Sequence, residues 1–86
     1  MVWPGSLRDS EGGESVFFCL IEGRGPHRVT WTRDSGKSIP KKASVTSSRL
    51  TIPNVSPDDE DFYICTVRNN YGMDVSRGEL IVRRKY

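Results

Sequence analysis

Two cysteines and the aromatic residues set between them constrain this chain more than anything else in it. Cys19 and Cys65 stand 46 positions apart, Trp31 lies 12 residues after the first, and Tyr63 lies two before the second. A chain of 86 residues makes one domain of ordinary size and leaves no room for two. A domain this small buries only about 60–65% of the surface its unfolded chain exposes, so its core is marginal without a staple. A Cys19–Cys65 bond is one such staple, worth roughly 4 kcal/mol for a closed loop of this size if loop entropy is the mechanism. Such a bond persists in an oxidising compartment. The same spacing also suits two reduced, buried thiols acting as small hydrophobes. Both readings are open on spacing alone.

The rest of the chain alternates short apolar and polar runs with turn residues and shows no helical period, which predicts an all-β sandwich or barrel. Residues 11–14 form a turn, and 15–21 a strand whose Phe17, Cys19 and Ile21 share the core face. Val16, Phe18 and Leu20 share its other face, partly covered by a neighbour. Residues 29–32 form a strand with Val29 and Trp31 inward. A tight turn at 34–37 leads to a short edge segment at 38–40, where proline removes only an outward donor. Another short edge strand is expected at 43–46. Residues 49–52 turn Leu50 and Ile52 inward, and Val55 plugs the polar loop 54–61. Residues 62–69 turn Tyr63, Cys65 and Val67 inward. Residues 69–72 make a hairpin turn of residues that tolerate positive φ, and 75–82 end the fold with Leu80 and Val82 in the core.

Thirteen basic and 11 acidic residues leave a net charge of +2, a balance that does not point to nucleic acid. No apolar run of about 18 residues is present to insert into a membrane. Residues 1–5 lack the charged and apolar regions of a secretory leader. The chain ends straight after its last strand-like run, as expected of a single module, residues 1–86, taken from a tandem array.

The loop-and-strand segment carries a family pattern: Leu50, Ile52 and Val55, then Asp59, Tyr63 and Cys65, with Asn69 and Gly72 following. Here the chain resembles the intermediate set (I-set) of the immunoglobulin superfamily over essentially its whole length. The resemblance implies a Greek-key β-sandwich of two antiparallel sheets, with an inter-sheet Cys19–Cys65 disulfide packed against Trp31. The 45 residues between the cysteines are too few for a variable-type domain with its two extra strands. Tyr63 is implied to cap nearby backbone with its hydroxyl, and Asp59 to form a structural ion pair with Lys41, Lys42 or Arg49. Asp61 stands where the family has glycine, a position expected to need positive φ, which aspartate tolerates. Val29-Thr30-Trp31, Gly36, Ile39-Pro40 and Ser48-Arg49-Leu50 are similar to the immunoglobulin repeats of perlecan, the basement-membrane heparan sulfate proteoglycan. That similarity implies a secreted, basement-membrane location. Its partners would be matrix or cell-surface proteins and neighbouring immunoglobulin domains of the same chain. A receptor ectodomain and an intracellular titin-like link are the alternatives.

Few residues suggest chemistry. Asn54-Val55-Ser56 is an N-glycosylation sequon, with Pro57 expected to lower its occupancy. Arg83, Arg84 and Lys85, with Lys41 and Lys42, form a candidate patch for heparan sulfate. Ser35-Gly36 is a weak acceptor for a glycosaminoglycan chain. Arg77-Gly78-Glu79 resembles an integrin-type tripeptide but falls in a strand and has glutamate for aspartate. His27 is the sole histidine and has no partner pattern for catalysis. Residues 58–61 lack the glycine and spaced oxygen ligands of a calcium loop. No enzyme activity, cofactor or metal is expected. Trp3, Tyr71 and the outer face of the 15–21 strand are the candidate contact aromatics.

Overall fold

The two-residue period of the cysteine-bearing runs decides the layers. In a computed structural model, which describes residues 1–86 apart from Glu22, Arg24, Ser47 and Tyr86, these runs lie in different sheets. The strands are β1 (Val2–Trp3), β2 (Ser6–Ser10), β3 (Ser15–Cys19), β4 (Arg28–Arg33), β5 (Ser44–Thr46), β6 (Arg49–Ile52), β7 (Asp61–Asn69) and β8 (Gly72–Arg83), with a 3-10 turn at Pro57–Asp59. One sheet runs β1-β3-β6-β5 and the other β2-β8-β7-β4. The disulfide joins Cys19 of β3 to Cys65 of β7 across the layers, with Cα atoms 6.3 Å apart. Phe17, Leu50, Ile52, Tyr63 and Leu80 are fully buried around it, with Trp31 beside them and Val55 closing one end. Leu7, Val29, Ile39, Ala43 and Val67 pack against this core from its margin.

The fold class is the all-β immunoglobulin-like sandwich expected, with differences in detail. The N-terminal residues form two strands rather than none. Val2 and Trp3 pair antiparallel with β3, and after Pro4-Gly5 the chain crosses to the other sheet. There β2 runs parallel to the end of β8, so the second sheet is mixed. Strand β3 ends at Cys19, two residues before the expected limit, and Ile21 is half-buried outside it. Residues 38–40 join no ladder; Ile39 instead packs on the core. Asp61 does not adopt positive φ, because it is the first, extended residue of β7; among the described residues Asn54, at φ 47°, is the non-glycine that does so. In the hairpin, Gly72 takes φ 150°, while the Asn69 side chain accepts the Tyr71 N–H at 2.8 Å.

Candidate functional site

The most organised polar cluster lies at the corner between β6 and β7. Ser56 precedes the 3-10 turn, and Asp59 closes it. The buried Asp59 carboxylate accepts the Ser56 N–H at 2.9 Å and faces the Lys42 ammonium at 2.7 Å. Of the three basic residues expected to serve it, Lys42 is the partner, and its ammonium also donates to the Asn54 carbonyl at 2.7 Å. Burial by itself would raise the Asp59 carboxyl. Lys42 and the Ser56 N–H, with Arg33 farther off, outweigh it and hold the group below its ordinary 3.8.

Tyr63 projects inward from β7 and donates its hydroxyl proton to the Asp59 carbonyl. Burial pushes this phenol up to about 12, with the Asp59 and Asp61 charges adding to it and Arg33 opposing. The tyrosine is therefore a fixed donor at neutral pH and not an acid–base group.

Arg33 completes the cluster, and sequence reasoning missed it. Only 8% exposed, it pairs with Asp61 at 3.0 Å and donates to the Asp58 carbonyl at 2.7 Å. Its guanidinium carbon lies 5.4 Å from the Tyr63 ring centroid. The available signal was parity: Arg33 is two residues from Trp31 and so faces the same way. Asp61, in the family's glycine position, accepts from Arg33, the Ser35 hydroxyl and the Phe62 N–H. Burial raises its carboxyl, but these contacts prevail and hold it below 3.8. Each buried charge in the cluster thus has a partner in the fold, the arrangement that makes buried charge tolerable. The cluster is a structural corner.

The remaining sequence-predicted residues are scattered. Arg83 ends β8, and Arg84 and Lys85 follow it, with the Lys85 N–H donating to Glu11 at 3.3 Å. Lys41 is exposed in a turn, while the Lys42 ammonium is held by Asp59. Asn54 is exposed. The rest of its sequon is held: Val55 is buried with its backbone bonded to Gly12 and Gly13, and the Ser56 hydroxyl contacts Asp59 at 3.4 Å. Trp3 and Phe18 meet on the outer face of the first sheet with centroids 6.3 Å apart, and Tyr71 is 94% exposed at the hairpin tip. Among the described residues no group of three or more His, Cys, Asp or Glu side chains is placed to hold a metal.

The family model for the immunoglobulin I-set domain matches residues 3–82. Over 74 residues the chain is 38% identical to the mouse basement membrane-specific heparan sulfate proteoglycan core protein, covering 84% of this chain and 2% of that protein. It is 30% identical to human protogenin over 82 residues, covering 93% of this chain and 7% of that protein. The chain thus spans a small part of the curated relatives it matches. Among solved structures, the titin M3 domain superposes with a TM-score of 0.81 at 22% identity, over 93% of this chain and 88% of that one.

Proposed function

This chain belongs to the immunoglobulin I-set family, and from that premise we propose that it is a non-catalytic structural and binding module of a secreted, basement-membrane protein. It is one domain in a tandem array, touching neighbouring domains of its own chain and matrix or cell-surface proteins through exposed side chains. The observation that carries this reading is the Cys19–Cys65 bond across the core, since structural disulfides persist in oxidising compartments and are rare in the cytosol. Similarity to the mouse proteoglycan core protein supports it. The Trp3–Phe18 pair and Tyr71 supply exposed aromatic surface of the kind enriched at interfaces. The exposed Asn54 is the proposed N-glycan acceptor.

The test is a thiol count. Protein isolated from its native source is denatured and alkylated without reductant, then weighed intact. No alkylated cysteine is expected. Two alkylated cysteines refute the secreted reading and leave the intracellular, titin-like link. A receptor ectodomain instead requires a membrane-spanning segment downstream in the parent chain.

A further inference from the structure

The outer face of the second sheet carries a charge pattern that the fold does not need. On β7, Tyr63 and Cys65 are buried, so the two-residue period turns Arg68 outward with Thr66 and Ile64. On β4, Arg28 shares the outward positions with Thr30 and Thr32. Gly78, Leu80 and Val82 are buried on β8, which turns Arg77 and, at the strand end, Arg83 outward, and Arg8 is exposed between half-buried Leu7 and Asp9 on β2.

The ladder register sets the spacing of Arg28, Arg68, Arg77 and Arg8. Arg28 and Arg68 are direct partners. Arg68 is in register with Met73, four residues before Arg77, and Arg8 with Ile81, four residues after it. Arg28 and Arg68 are therefore level, and the steps from Arg68 to Arg77 and from Arg77 to Arg8 are each ~13 Å along the strands and ~4.8 Å across them. The arginines descend as one diagonal over β4, β7, β8 and β2.

Like charges directly opposite on neighbouring strands destabilise a sheet, yet Arg28 and Arg68 are so placed. The ion pairs among the described residues join Arg33 to Asp61 and Lys42 to Asp59, and neither uses the diagonal. Glu79 is the one acid in the outward positions of these four strands. Arg77 lies over the Phe62 ring, 4.8 Å from its centroid, and not on that carboxylate. Beside the Arg28–Arg68 pair is a groove lined by Pro26, His27, Asn69 and Asn70, and the His27 Nδ1 is buried with no hydrogen-bond partner among the described residues.

We propose that this diagonal binds a sulfated glycosaminoglycan chain, with the Arg28–Arg68 pair as its anchor. A sulfate at the pair removes the repulsion and accepts bidentate bonds from the two planar forks. A linear polyanion then reaches Arg77 and Arg8 without bending. Single-stranded nucleic acid is disfavoured because its grooves stack bases on aromatic rings, and the one aromatic facing outward here, Phe62, lies under Arg77. The choice of a sulfated chain over other polyanions rests on the secreted reading; the charge pattern does not.

The test measures affinity for heparin as a function of salt for the wild-type chain, Arg28→Ser/Arg68→Ser, Arg77→Ser, Arg8→Ser, and a tail variant with Arg84 and Lys85 changed to Ser. Loss of the pair is expected to weaken binding about tenfold or more and to lower the salt slope by about two. Each single variant lowers it by about one, and the tail variant still binds. Desulfated heparin is expected to lose binding, and a DNA duplex or a polyglutamate peptide to bind about tenfold more weakly than heparin. A melting temperature at or above wild type in the Arg28→Ser/Arg68→Ser variant separates lost contacts from lost folding. Undiminished binding without the pair, loss confined to the tail variant, or equal affinity for DNA or polyglutamate overturns the proposal. Free cysteines with intact heparin binding refute the location and leave the site standing.

Discussion

Gly78 is the position where one added methyl group tests the packing of the two sheets most directly. It faces inward from β8, and a Cβ there would sit 2.8 Å from both Phe17 Cε1 and Val2 Cγ1, and 3.0 Å from Phe17 Cδ1. Those atoms come from β3 and β1 of the opposite sheet, and neither side chain has room to retreat. Phe17 is fully buried against the Tyr63 ring, with centroids 5.8 Å apart, and Val2 is 5% exposed. Gly78 is not at positive φ, so Gly78→Ala changes packing and not backbone strain. Overpacking of this kind costs about 1–3 kcal/mol. Unfolding entropy for 86 residues is about 0.18 kcal/mol per kelvin, so the melting temperature should fall by about 6–17 °C. Circular dichroism melts and urea titrations measure this, with the urea slope expected to stay constant. Phe17→Leu, destabilising by itself, should be less so in the Gly78→Ala background, with a coupling of at least about 0.5 kcal/mol. A melting temperature within about 2 °C of wild type, or strict additivity of the two changes, refutes the claim that inter-sheet distance demands this glycine.

Two predictions concern protons. The Asp59 carboxyl is held below its ordinary value in the fold, so its contribution is present above about pH 4 and lost as pH falls through the folded value. Lys42→Met should therefore destabilise by about 1–3 kcal/mol at pH 7. The gap from wild type should narrow at pH 3 in urea titrations; an equal gap at both values refutes the assignment. Tyr63 is shifted the other way, up to about 12, so its contribution is full below pH 10 and declines as pH rises toward 12. Tyr63→Phe should cost about 1–2 kcal/mol at neutral pH and flatten the decline in urea midpoint between pH 9 and 11; an unchanged alkaline limb refutes it.

The core was legible because period-two parity needs only neighbours in sequence. Once Cys19, Trp31 and Cys65 face inward, Phe17, Val29, Tyr63 and Val67 follow, and all are buried or half-buried. The N-terminal strands were not legible because their partners are remote. In β2, Leu7 is the one hydrophobic residue, and its strand character comes from lying beside residues 79–83 of β8. Asp61 misled for a related reason. Viewed as a substitute for glycine, it suggested a backbone demand, whereas its carboxylate is used by Arg33 and Ser35, which arrive from β4 and the following turn.

The arginine diagonal lies beyond parity for a stricter reason. Parity tells which side chains face out, but not which of them are neighbours on adjacent strands. That depends on register, and a slip of two residues would preserve every face while moving Arg28 ~7 Å away from Arg68. Register between β4 and β7 is set by the buried corner: Trp31 stands opposite Cys65, and Arg33 opposite Tyr63 with its guanidinium on Asp61. Three residues on from the Trp31–Cys65 pair, in the outward phase, Arg28 stands opposite Arg68. The same inward contacts that staple the sandwich therefore hold two like charges side by side on its surface. Weakening the Arg33–Asp61 pair should loosen the anchor without touching either arginine.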